Sequence, residues 1–149
     1  MRHQNSRLRL KQKPAHARML QRNLVTSLLL YESIRTTEKR AKVIQPLVDR
    51  LISYARNKQP QQAIRLINSV VTDRNASRKI LEVYKTRYAT RNGGVTKITP
   101  VGARLGDGAR LVDLTLIDAV VGGTMIEKES KEKKEKKPKA KKKASTDAA

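Results

Sequence analysis

The residues best equipped for chemistry gather at the N-terminus. Its first 23 positions hold Arg2, Arg7, Arg9, Lys11, Lys13, Arg18 and Arg22, the histidines His3 and His16, and no carboxylate. Guanidinium forks and ammonium groups at this density suit phosphate oxygens, and each such contact releases condensed counterions, so binding should fall steeply with salt. Between Arg2 and Lys13, Leu8 and Leu10 are the apolar residues, with no helical or strand period to continue them. Such a stretch has no face to bury, and it needs an anionic partner to order it. Its twelve residues reach at most about 40 Å when extended. On composition alone, a solvated basic terminus and an Arg-rich, acid-poor organelle presequence are also open readings. No carboxylate neighbours His16 in sequence, so a phosphate or backbone hydrogen bond is its expected use rather than metal or catalysis.

A second cationic group follows the segment SIRTT, residues 33 to 37. Thr36 or Thr37 is placed to cap a helix, yet Lys39, Arg40 and Lys42 crowd its first turns. The helix dipole favours anions there, so three cations call for something negative opposite them, and a bound phosphate would serve. A solvated charged face is the plainer use. Arg35 alternates away from Ile34 on the strand, and Arg91, Lys97 and Arg104 decorate a later Gly-rich region containing Gly93 and Gly94.

The whole chain has 149 residues, with 34 Lys and Arg against 13 Asp and Glu, a formal net charge of +21. Even without the ten Lys and five acids beyond Thr124, 24 basic residues face 8 acidic ones. The excess therefore belongs to the domain as well as the tail, and a polyanion or anionic surface is the expected partner. With no Phe, no Trp and four Tyr, the core must come from Leu, Ile, Val and Ala, enough for one small domain. So few rings also argue against single-strand binding by base stacking. The absence of Cys removes disulfides, thiol nucleophiles and Cys-based zinc sites. No apolar run approaches a membrane span, and no signal-peptide core follows the N-terminal charges, so a cytoplasmic protein is expected.

These residues need elements to hold them. Pro14 suits the first turn of a helix running to Tyr31 with the stripe Ala17, Leu20, Leu24, Leu28 and Tyr31. Arg18 and Arg22 fall together beside that stripe. After a strand over 33 to 37, a second helix reaches about Arg56 on Ala41, Ile44, Val48, Leu51 and Ala55, and Pro46 within it predicts a kink. Pro60 opens a third, short helix with Ala63, Ile67 and Val70. Asp73 caps a fourth that ends near Tyr88 and buries Ala76, Ile80, Val83 and Tyr84. The period then changes to two. Residues 95 to 101 and 111 to 117 read as strands joined through Gly102, Gly106 and Gly108.

The predicted fold class is α+β: helix, strand, three helices and a two-stranded hairpin, in two layers with the helices on one side of a small sheet. The basic arm covers residues 1 to 13, the domain 14 to 120, and a disordered Lys/Glu-rich tail 121 to 149.

Groups for catalysis do not converge. There is no nucleophile elbow, no P-loop lysine and no paired-histidine metalloprotease helix, and Asp107 and Asp113 alone do not make a two-metal site. No enzyme, cofactor or metal is expected. A nucleoid-type DNA binder fits the charge equally well, although no recognition helix or dimer seam stands out. An RNA-processing enzyme would have to rest on Asp107 and Asp113.

Read together, the motifs resemble one family. Met1-Arg2-His3, Ser6, Leu10, His16, Arg22-Asn23, Ser27-Leu28, Glu32, Ile34, Thr36-Thr37 and Lys42, followed by Arg87-Tyr88, Arg91, Gly93-Gly94, Thr96, Ile98, Arg104 and Gly106-Asp107, look like the signature of bacterial large-subunit ribosomal protein seventeen. The likeness spans residues 1 to about 118 in order. This chain departs from the common pattern at Lys11-Gln12, at Ala17 and at Val95. The resemblance implies the same α+β order and a structural protein of the large ribosomal subunit, bound to its large ribosomal RNA beside ribosomal protein thirty-two. It also implies that the arm, whose signature begins at Met1, is no presequence. The RNA contacts expected on these grounds are Arg2, His3, Arg7, Arg9, Lys11, Lys13, His16, Arg18, Arg22, Arg35, Thr36, Thr37, Lys39, Arg40, Lys42, Arg91, Gly93, Gly94, Lys97 and Arg104.

Overall fold

Pro14 sits at the first position of helix α1 (Pro14–Tyr31), where its missing N–H leaves nothing unsatisfied. The computed structural model describes residues 8–118. Arg2, His3 and Arg7, and the Lys/Glu-rich tail, therefore lie outside the described residues. Strand β1 (Ser33–Thr37) leads directly into helix α2 (Glu38–Asn57), and helix α3 (Pro60–Asn68) follows. The fourth helical stretch has three parts: α4 (Arg74–Lys79), a π-helical turn (Ile80–Tyr84) and α5 (Lys85–Arg87). Strands β2 (Thr96–Ala103) and β3 (Arg110–Leu116) close the chain as a hairpin. The predicted α+β order is observed.

All three strands form one antiparallel sheet in the order β1-β3-β2. Arg35 stands opposite Asp113 in one pairing and Thr99 opposite Asp113 in the other. Alternation then puts Ile34, Thr36, Val112, Leu114 and Leu116 toward the helices. Ser33, Arg35, Lys97, Thr99, Asp113 and Thr115 occupy the uncovered face. The outer edge strand β2 is interrupted by Pro100 and by a register shift between Pro100 and Gly102, whose φ of 154° a side chain would rarely adopt.

Helix α2 is the centre of the packing. Its predicted stripe of Ala41, Ile44, Val48, Leu51 and Ala55 is buried, with Ile52 beside it, against α1, α3, the fourth stretch and the sheet. Burying the Ile, Val and Leu side chains of this row is worth about 1.5–3 kcal/mol each. Pro46 lies inside an otherwise unbroken helix, with its ring exposed.

Two predicted stripes are corrected. Along α1 the buried residues are Val25, Thr26, Leu28 and Leu29, while Tyr31 is 72% exposed. The buried face runs along Val25, Leu28 and Leu29, and Tyr31 projects well to one side of it at about 100° per residue. From Pro14 to Asn23 every residue is exposed or half-buried, and Gln21 lines a groove against α2. On the fourth stretch Val83 is exposed and Tyr88 is buried, so the inward row is Ala76, Ile80, Tyr84 and Tyr88. A pure α-helix turns past a row spaced by four, because four residues exceed its 3.6-residue turn. The wider π turn takes up the excess and keeps Tyr84 and Tyr88 inside, their rings 6.0 Å apart.

Caps divide likewise. Asp73 caps α4 as predicted, accepting from the Asn75 amide at 2.6 Å. Thr37 occupies the cap position of α2 with no side-chain cap bond, and Thr36 is buried under the helices. What answers the cations at that helix start is Glu38 in the first turn, 2.5 Å from the Lys42 ammonium and 3.8 Å from Arg110.

Candidate nucleic-acid interface

The acids of the described residues are nearly all engaged at home. Arg35 forks onto Asp113 across the strands, Nε to Oδ1 at 2.8 Å and Nη2 to Oδ2 at 3.2 Å. Arg104 grips Asp107 in the hairpin loop, which holds that carboxyl down at about 2. Arg91 reaches Asp118 at 3.5 Å. Asp49 on α2 accepts from the amides of Gly94 and Val95 at 3.3 and 3.1 Å. Neighbouring Arg56 donates to the Arg91 carbonyl and to Asn92 Oδ1.

The cations of the arm and of α1 have no such partners among the described residues. Arg9, Lys11, Lys13, Arg18 and Arg22 are all exposed and make no ion pair there, and neither does Lys39 at the start of α2. Unpaired exposed cations repel one another, so the protruding half of α1 with the segment before it forms a surface that gains from a polyanion. His16 stands exposed on the same helix.

The predicted residues do not form one patch. Arg9 and Lys42 meet across a groove of about 500 Å³ between the segment before α1, α1 itself and α2. Lys39 and Arg40 lie at the adjacent helix start. Arg35 and Lys97 share the uncovered sheet face. Arg91 is tied to Arg56 near the end of α2, about 20 Å along the helix from Lys42, and Gly94 to Asp49, about 10 Å from it, at a rise of about 1.5 Å per residue. Gly94, at φ 65°, makes the turn that lets Asp49 take two successive amides. Sequence reasoning passed over Arg50, which lines the groove, and Arg74, Arg78 and Lys85, which are exposed on the fourth stretch. Their position off the buried row was the signal available.

A second cluster is buried and structural. Glu32, in the left-handed conformation that ends α1 (φ 62°), is 6% exposed and accepts from Lys79 at 2.7 Å and Arg87 at 2.9 Å. Burial pushes its carboxyl up, but the two hydrogen bonds and the charges behind them more than offset this and hold it below the ordinary carboxylate range. Both cations also lie over the Tyr84 ring, 5.5 and 5.3 Å from its centre. The Tyr84 hydroxyl donates to the Leu29 carbonyl at 2.6 Å, and burial raises its pKa. Among the described residues no group of three or more His, Cys, Asp or Glu is placed to hold a metal, and no helix is long and apolar enough to cross a membrane.

Fold and surface together define a small basic α+β protein with exposed, unpaired cations on α1 and the segment leading into it, and others along α2, the fourth stretch and β2. Residues 20–117 match the family described as ribosomal protein L17, and the chain belongs to that family. It is 39% identical over 117 residues to the large ribosomal subunit protein bL17 of Chloroflexus aggregans, covering 78% of this chain and all of the relative. The bL17 of Syntrophotalea carbinolica is 40% identical over 118 residues, 79% of this chain and 76% of its own length. That of Pelagibacter ubique is 30% identical over 145 residues, 97% and 99% of the two chains.

Proposed function

We propose that this chain is a structural component of the large subunit of a bacterial ribosome, in the cytoplasm, holding large-subunit ribosomal RNA by neutralising and clamping its phosphates. One observation carries the reading: exposed Arg9, Lys11, Lys13, Arg18 and Arg22 lack carboxylate partners among the described residues, while most acids are committed elsewhere. The family and the names of the relatives support the same role. The protruding half of α1 enters between RNA segments, with Arg2, His3 and Arg7 continuing the track beyond it. Lys39, Arg40 and Lys97 extend it over the domain. Arg35, Lys42, Arg91 and Arg104, already paired, add weaker charge. Thr36 and Gly94 support their own elements, and Thr37 and Gly93 stand beside them. Neighbouring large-subunit proteins, number thirty-two among them, pack on the remaining surface.

The test is competition at physiological salt between a large-subunit RNA fragment and duplex DNA for the full chain, together with assay of purified large subunits for the protein. Preference for the RNA and presence in the subunit are expected. Equal binding of duplex DNA and absence from the subunit would point to a nucleoid role instead.

A further inference from the structure

The two outer edges of the sheet differ. On β2 the hydrogen bonds can be phased from the Ile117 amide, which donates to the Val95 carbonyl at 2.9 Å. Bonded pairs in an antiparallel ladder recur at every second residue. Lys97 and Thr99 therefore turn their backbone groups to β3, while Thr96, Ile98 and Pro100 turn theirs outward. This edge is closed from within: the Thr96 carbonyl accepts from the Gln45 side chain at 3.3 Å, and Pro100 has no N–H to offer.

The edge on β1 is open. The Leu116 amide donates to the Glu32 carbonyl at 2.9 Å, which gives Ile34 and Thr36 the bonds with β3. The backbone N–H and C=O of Ser33 and Arg35 then face away from the sheet, and none of these groups has a hydrogen-bond partner among the described residues. The strand contains no proline and its register is unbroken. A hollow of about 430 Å³ lies against Ser33, Ile34, Arg35, Asp113 and Thr115, so no described residue fills the space beside them.

Charge decides which kind of partner suits this edge. Arg35 gives both Nε and Nη2 to Asp113, so the strand has no free cation for a phosphate, and its outward carbonyls would repel one. A second copy of the chain is opposed by the repulsion of two bodies at +21 each. An uncharged extended peptide meets neither objection, because its own alternating N–H and C=O groups complete those of Ser33 and Arg35.

We propose that β1 receives an extended segment of another large-subunit protein as an added strand, with an apolar side chain beside Ile34 and uncharged ones beside Ser33 and Arg35. The proposal rests on the ribosomal reading above, and it gives the chain a protein-binding edge apart from the arm and α1. Ile34 already packs against the core from the helix side of the strand, so an apolar neighbour there extends the same cluster.

The test follows amide hydrogen exchange across residues 33 to 37 of the full chain in three states: free over a range of concentrations, bound to large-subunit ribosomal RNA alone, and within purified large subunits. Ile34 and Thr36 should exchange slowly throughout. Ser33 and Arg35 should exchange fast in the first two states and about a hundredfold slower in the third. A second measurement sets Arg35→Pro against Arg35→Ala: both lose the Asp113 pair, but only the former loses the outward N–H, which the β1–β3 ladder does not use. In competition with the native chain for incorporation into large subunits, Arg35→Pro should fall about five- to tenfold below Arg35→Ala. Thermal melts check that both variants fold, and the exchange measurement on the native chain decides the matter if either does not. Unchanged exchange at Ser33 and Arg35 in the subunit, or equal incorporation of the two folded variants, would overturn the proposal. So would slowing by RNA alone, which makes RNA the occupant, or slowing that grows with the concentration of the free chain, which makes a second copy the occupant. In each of these cases the chain is still found in the subunit, whereas its absence there removes the ribosomal reading itself.

Discussion

Glu32 ties three parts of the chain together through one carboxylate. Its carbonyl accepts from the Leu116 amide on β3 at 2.9 Å, while its side chain holds Lys79 and Arg87 from the fourth helical stretch. Glu32→Gln leaves two half-buried cations without their counter-charge and should cost about 3 kcal/mol, read by urea unfolding. The sign of the pH effect follows from the depressed carboxyl. Its stabilisation is fully present above the ordinary carboxylate range and is lost as pH falls through the lowered folded value. Unfolding midpoints should therefore drop in acid for the native chain and drop less for Glu32→Gln. Thr96 behaves oppositely, since its buried hydroxyl has no hydrogen-bond partner among the described residues. Thr96→Val keeps the shape and should raise stability by up to about 1 kcal/mol; a loss would mean the hydroxyl is satisfied. Neither role could be read from local sequence, because the Glu32 partners lie 47 and 55 positions away and nothing about Thr96 distinguishes it from other strand threonines.

Among the elements, α2 was the most legible: its apolar positions keep phase through Pro46, and every predicted stripe residue is buried. Helix α1 was half legible. Periodicity fixes the buried face only to a fraction of a turn and not how far the core extends along it, so Tyr31 was assigned inward although it lies to one side of the Val25, Leu28 and Leu29 row, as were Ala17 and Leu20 although the core ends before them. On the fourth stretch the Val83 assignment failed because a π turn changes the angular step, and no residue type announces one. Pro46→Ala should raise the melting temperature, with a gain of about 1–2 kcal/mol. The recovered backbone bond is partly offset by a looser unfolded chain. No gain would show that the Lys42 carbonyl already has a partner. Asp49→Ala frees the amides of Gly94 and Val95. It should cost about 1 kcal/mol and speed amide exchange at those two residues before it affects β3.

At the scale of the molecule the sorting of charge governs behaviour. Most acids are spent on neighbouring cations and amides, so exposed cations stay unneutralised on the arm and α1 and also along α2, the fourth stretch and β2. That sorting was visible in the carboxylate-free N-terminus, whereas the uncovered sheet face, with Arg35 already neutralised, became visible only through strand register. If Arg18 and Arg22 each touch one phosphate, replacing both with Ala should reduce the slope of log affinity against log salt by about 2. An unchanged slope would exclude them from the interface. The broken register of β2 has its own consequence. A strand bearing Pro100, a bulge at Gly102 and an outward Lys97 is a poor template for another chain's backbone. Pairing of one copy's β2 with another's is therefore disfavoured while the chain waits for RNA.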